Sequence, residues 1–103
     1  MLRGWRLVAS NVRVGRNELD LVVRRGGQLL VVEVKEKTGG GFGDPLEMVD
    51  SEKLRRVLRT TQAWLASRSD LAELELGFEV VGVSPGRVRR VRVEPGDEGL
   101  GRE

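Results

Sequence analysis

The sequence predicts an α/β domain in which a mixed β-sheet carries one long packed helix. Three observations point to it. Residues 18–35 alternate and turn like a hairpin, residues 54–65 repeat their apolar positions at helical spacing, and two more Val-rich runs follow the helix. The order is strand, strand, strand, helix, strand, strand. Residues 1–94 are expected to form this single domain, with the Gly- and acid-rich stretch 95–103 as a disordered tail.

Trp5 to Val14 make the first strand, and Gly15-Arg16-Asn17 turn the chain into the second. Glu18 to Val23 and Gln28 to Lys35 then flank Arg24-Arg25-Gly26-Gly27, a tight-turn signal. A two-residue Gly26-Gly27 loop sets Arg25 opposite Gln28, hence Asp20 opposite Glu33 and Glu18 opposite Lys35. A three-residue loop would instead set Leu19 or Leu21 opposite Glu33. Alternation favours the first register, because Leu19, Leu21 and Val23 then share a face with Leu30, Val32 and Val34. That apolar face is the one expected to receive the helix, and Glu18, Asp20, Glu33 and Lys35 share the other.

Gly39 to Gly43, four glycines in five residues, read as a mobile loop beside the acids or as a simple connector. Asp44-Pro45-Leu46-Glu47 is a helix-start signal, and Asp50 offers a second N-cap for the main helix. Leu54, Val57, Leu58, Thr61, Trp64 and Leu65 form its apolar stripe. Arg68-Ser69-Asp70 ends it, and Leu71 to Leu76 allow a further short turn. Phe78 to Val83 form a strand, Ser84-Pro85-Gly86 a turn, and Arg87 to Val93 a last strand. The arginines of that strand suit a charge-protected edge or a phosphate-binding stripe.

The composition narrows the chemistry. The chain has 103 residues with neither cysteine nor histidine. Disulfides, thiol nucleophiles, zinc–thiolate sites and imidazole catalysis are therefore excluded. Two carboxylates directly across a strand pair repel each other, and a divalent cation between Asp20 and Glu33 would turn that repulsion into a site. With oxygen ligands only, the cation would be hard, magnesium or manganese. The competing reading is a charged outer face with ordinary ion pairs, Glu18 to Lys35 and Asp20 to an arginine.

Fifteen arginines and three lysines face 16 acids, giving a net charge of +2. Lys53, Arg55, Arg56 and Arg59 lie mostly off the apolar stripe. They would meet nucleic-acid phosphates or form a solvated face partly paired through Glu52 and Arg56. No apolar run reaches membrane-spanning length and no signal peptide precedes Trp5, so a soluble cytoplasmic protein is expected.

Taken together, Gly4-Trp5-Arg6-Leu7, Asn11-Val12-Arg13, Glu18-Leu19-Asp20-Leu21-Val22, Val32-Glu33-Val34-Lys35, Phe42-Gly43-Asp44-Pro45 and Lys53…Arg56…Ala63-Trp64-Leu65 resemble the YraN family in order and spacing. The resemblance covers roughly residues 4–83. It implies a restriction-endonuclease-like fold, similar to Holliday-junction resolvases and other PD-(D/E)xK nucleases. It further implies that Asp20, Glu33 and the carbonyl of Val34 hold magnesium, while Lys35 orients or deprotonates the attacking water. Such chemistry needs neither His nor Cys.

The chain also departs from that family. Its members usually carry an N-terminal helix with a metal-completing glutamate before the first strand, whereas this sequence reaches the strand directly after Met1-Leu2-Arg3. Glu18 is the candidate substitute. Asn17 stands where the family has glycine, and Glu79 where it has aspartate. The expected function is a magnesium-dependent nuclease acting on structured or branched DNA, as a homodimer. The alternatives are a non-catalytic nucleic-acid-binding module or a protein-interaction domain that keeps the fold.

Overall fold

Three two-residue loops govern the sheet. Gly15-Arg16, Gly26-Gly27 and Pro85-Gly86 join paired strands through the closing pairs Val14↔Asn17, Arg25↔Gln28 and Ser84↔Arg87. In the middle loop Gly26 takes φ +58°, the positive angle that a hairpin demands of its first loop residue when that residue is glycine. A computed structural model describes residues 4–36 and 50–93. Its elements are β1 (Arg6–Val14), β2 (Asn17–Arg25), β3 (Gln28–Glu36), α1 (Ser51–Leu65), a 3-10 turn (Ser69–Leu71), β4 (Glu75–Ser84) and β5 (Arg87–Val93).

The five strands form one sheet in sequence order, β1 to β5. All neighbours are antiparallel except β3 and β4, which run parallel from Gln28↔Glu75 to Glu36↔Val83. A parallel pair requires a crossover, and α1 lies within it. The result is the α/β architecture expected, a mixed five-stranded sheet with one packed helix, consistent with a restriction-endonuclease-like fold. The glycine loop 39–43, the Asp44-Pro45 start signal and the tail from Pro95 lie outside the described residues.

The helix begins at the second of the two start signals. The Asp50 carboxylate Oδ1 accepts hydrogen bonds from the backbone N–H groups of Glu52 (3.1 Å) and Lys53 (3.2 Å). These satisfy two of the donors that every helix start leaves unpaired. Asp50→Ala is therefore expected to cost about 1 kcal/mol, which thermal melting would register as a loss of about 4–8 °C for a domain of this size. Asp50→Asn should keep most of it.

The expected stripe holds: Leu54, Val57 and Thr61 are buried, and Leu58, Trp64 and Leu65 pack against the same core. Trp64 is a half-buried core residue, with the Arg68 guanidinium 5.3 Å from its ring centroid. No helix of the described residues is long and apolar enough to cross a membrane.

One expectation about the sheet is reversed. The helix covers Val22, Leu29, Val31, Phe78 and Val80, not the face carrying Leu21, Val23, Leu30 and Val32. The latter form a smaller cluster with Val81, Trp5 and Val83 on the opposite side. Val34, expected in that apolar set, is 41% exposed. The reason lies in composition. Leu29 to Val32 are apolar without interruption, as are Leu21 to Val23, so both faces of the central strands are apolar. Alternation alone then cannot choose the side that receives the helix. The consequence is functional, because Glu33 lies on the helix side.

Candidate metal centre at the split between two strands

The ladder between β2 and β3 follows the two-residue-loop register from Arg25↔Gln28 to Leu21↔Val32 and stops there. Continued, it would pair Leu19 with Val34. Instead the Val34 N–H donates to the Asp20 carboxylate, Oδ2, at 2.9 Å. A side chain has taken the place of a main-chain partner, and the two strands part at that point. Leu19 joins the core cluster under the helix and is fully buried, although Leu21 and Val23 belong to the cluster on the other side. The alternation of β2 has slipped across Asp20.

The neighbouring edge strand is distorted at the same level. In β1 the pairs Val12↔Leu19 and Ser10↔Leu21 flank Asn11, whose φ is +51°. Left-handed backbone is costly for most residues, and asparagine tolerates it better than most. Asn11 was readable only as part of a motif. An asparagine amid the Val-rich alternation of a strand was the signal for a kink there. Non-glycine residues with positive φ concentrate at functional sites, and this one stands beside Asp20.

The two acids meet as the register implied, through side chains rather than as a ladder pair. The Asp20 N–H donates to Glu33 Oε2 at 3.4 Å. Glu33 is only 6% exposed. Burial pushes its carboxyl up to about 7, and the adjacent Asp20 carboxylate adds to the rise, while the Asp20 N–H and the Lys53 ammonium oppose it. A buried acid forced against another acid is the electrostatic situation that a divalent cation relieves.

A cleft of about 180 Å³ opens beside Glu33, lined by Val34, Lys35, Asp50, Lys53, Leu54 and Val80. Strand β3 contributes one wall and the first turn of α1 the other. Lys35 and Lys53 thus line the same cleft from two different elements. The resemblance adds the carbonyl of Val34, the residue whose N–H binds Asp20. Two carboxylates, one carbonyl and solvent form a hard oxygen donor set. Magnesium accepts such a set, since it keeps several waters and takes only one or two carboxylates.

Other candidates are placed elsewhere. Glu18 pairs with Arg13 of β1, not with Lys35, and no three acids cluster among the described residues. It does not become a third ligand. Glu79 is buried, but it sits on the sheet face away from the helix, where the Arg90 guanidinium donates to both its carboxylate oxygens at 3.3 Å. Among the described residues the ion pairs expected from an ordinary charged face, Glu18 to Lys35 and Asp20 to an arginine, are not formed. Nor is Glu52 to Arg56; the described residues form the ion pairs Arg68–Asp70 and Arg90–Glu79. Arg56 and Arg59 flank a separate groove between α1 and the β1–β2 hairpin, and Arg55 is half-buried.

Comparison with known proteins gives a consistent assignment. The model of the uncharacterised protein family UPF0102 matches residues 1–83. A UPF0102 protein of Synechococcus sp. is 38% identical over 99 residues, spanning 95% of this chain and 70% of its own. One from Symbiobacterium thermophilum is 40% identical over 89 residues, 86% of this chain and 75% of its own. Another from Sinorhizobium medicae is 34% identical over 87 residues, 84% of this chain and 70% of its own.

Proposed function

The chain belongs to the UPF0102 family, the YraN family of the resemblance above, and from that premise we propose that it is a magnesium-dependent nuclease of the PD-(D/E)xK type acting on structured or branched DNA. The observation that carries this reading is the split between β2 and β3. There Asp20 binds the buried Glu33, which lines a cleft together with Lys35 and Lys53.

In this reading Asp20, Glu33 and the Val34 carbonyl hold the cation. When bound, magnesium polarises the scissile phosphate and lowers the pKa of a water beside it. The protein residues do the rest. Asp20 is held by the Val34 N–H, which fixes one carboxylate oxygen and leaves the other available. Glu33 carries a proton at or below neutral pH and must release it when the cation binds. Lys35 holds the attacking water in line and balances charge on the phosphate. Lys53, across the cleft, holds the phosphate itself.

A second reading is favoured by one observation, the absence of a third clustered acid among the described residues. It is a nucleic-acid-binding module that keeps the fold without turnover. The two separate in one experiment. Magnesium or manganese is expected to raise the melting temperature of the protein and to leave Asp20→Asn unmoved. At a metal concentration of about 100 times Kd, the stabilisation would be about 2.7 kcal/mol. The wild type with metal should cut forked, four-way or single-stranded DNA, and EDTA should stop it. No metal-dependent shift and no cleavage would leave the binding module.

A further inference from the structure

We propose that one strand of nucleic acid leaves the acid cleft along α1, its phosphates held in turn by Lys53, Arg56 and Arg59. The inference rests on the nuclease-like reading only for where the strand starts, and its substrate class is a sugar–phosphate backbone read without regard to sequence.

The row is built by spacing. Lys53, Arg56 and Arg59 recur every three residues, so they form one ridge of the helix surface. Lys53 belongs to the acid cleft. Arg56 and Arg59 belong to a second groove of about 220 Å³ farther along α1, lined also by Val14, Asn17, Thr60 and Ala63. Those residues come from the β1–β2 hairpin and the facing helix turns, and Asn17 is three residues from Asp20 along β2. The cleft and the groove therefore share one element, α1.

The cations are uncommitted. Lys53, Arg56 and Arg59 are exposed, and none forms an ion pair with a described residue. The helix face could have been neutralised internally through Glu52 and Arg56, and it is not. Thr60, between them, spends its hydroxyl on the Arg56 carbonyl (2.8 Å) and so offers the groove no competing donor. The groove floor is otherwise small or apolar, as suits a surface that reads charge rather than bases.

The dimensions agree with a phosphate backbone. Six residues of helix advance about 9 Å, and one strand of duplex advances about 3.4 Å per phosphate. Three cations thus meet about three consecutive phosphates. Arg55 points off this ridge and is expected to contribute little.

The test is fluorescence anisotropy with a labelled 20-nucleotide single strand in EDTA, titrated across 50–200 mM salt. The variants are Arg56→Ala/Arg59→Ala and Arg55→Ala, each checked for an unchanged melting curve. Because the two arginines are exposed, their loss should leave the fold intact. The double variant is expected to bind at least tenfold more weakly at low salt, and its slope of log affinity against log salt should shrink by about 1.4. Arg55→Ala should match the wild type. Equal affinity and slope for the double variant and the wild type would overturn the proposal, as would a wild type that does not bind. Binding with the expected slope, without metal-dependent cutting, would uphold the track and defeat the nuclease reading.

Discussion

At pH 8 in metal-free buffer, Glu33→Gln is expected to melt some 10–20 °C above the wild type, and the gap should narrow to a few degrees at pH 5. The carboxyl of Glu33 is pushed from its ordinary 4.5 up to about 7, first by burial and then by Asp20. In the unfolded chain it ionises near 4.5. Between these values the folded protein holds a proton that the unfolded chain has released, so stability falls as pH rises through the interval. Below 4.5 both states are protonated and nothing is lost. Above 7 both are ionised, and the whole penalty of about 3 kcal/mol is present. A domain near 100 residues loses about 4–8 °C per kcal/mol. Glutamine imitates the protonated acid: its oxygen can still accept from the Asp20 N–H, and its amide can donate to the Asp20 carboxylate. The difference between the two proteins cancels every other titrating group. A gap that stays constant from pH 5 to pH 8 would mean that Glu33 ionises like an exposed glutamate. Saturating magnesium should favour the wild type, which alone keeps the second carboxylate.

The same residues show where reading the sequence succeeds and where it stops. Gly26-Gly27 fixed a loop length, and the loop length fixed Arg25↔Gln28 and every pair to Leu21↔Val32. It also put Asp20 and Glu33 at one level of the sheet, which is where they meet. What no register rule contains is that Asp20 ends the ladder by accepting the Val34 N–H itself. A strand template assumes that backbone pairs with backbone, and an acid that replaces a strand partner lies outside it. The side of the sheet that the helix covers was hidden for a different reason. Runs such as Leu29-Leu30-Val31-Val32 are apolar on both faces, so period-2 alternation carries no information there. The helix was the reverse case. Its stripe and its Asp50 cap are local features, set within one turn, and they appear where the spacing placed them. Glu79 and Arg90 lie eleven residues apart on neighbouring strands, and their pairing needed the β4–β5 register before it could be read.

Two lysines line the cleft, and they should fail in different ways. Lys35→Ala is expected to lower kcat for DNA cleavage by about 10²–10³-fold with KM within a few-fold, the mark of a contact made chiefly in the transition state. Lys35 is adjacent in sequence to Val34, whose N–H binds Asp20, and it lines the cleft beside Glu33. It is exposed and makes no ion pair with a described residue, so its removal should not disturb folding. Lys53 stands on the helix wall, one turn from the arginine row. Lys53→Ala should raise KM and steepen its salt dependence less than the wild type, while kcat changes little, as for a contact made equally with substrate and transition state. Lys53 also lowers the pKa of Glu33, so its loss should move the acid limb of the pH–rate profile upward, whereas Lys35→Ala should scale the profile without shifting it. If Lys35→Ala instead raises KM with kcat intact, Lys35 is a binding residue and the water must be positioned by another group. If neither lysine affects kcat, the cleft between β3 and α1 is not where the phosphodiester is cut.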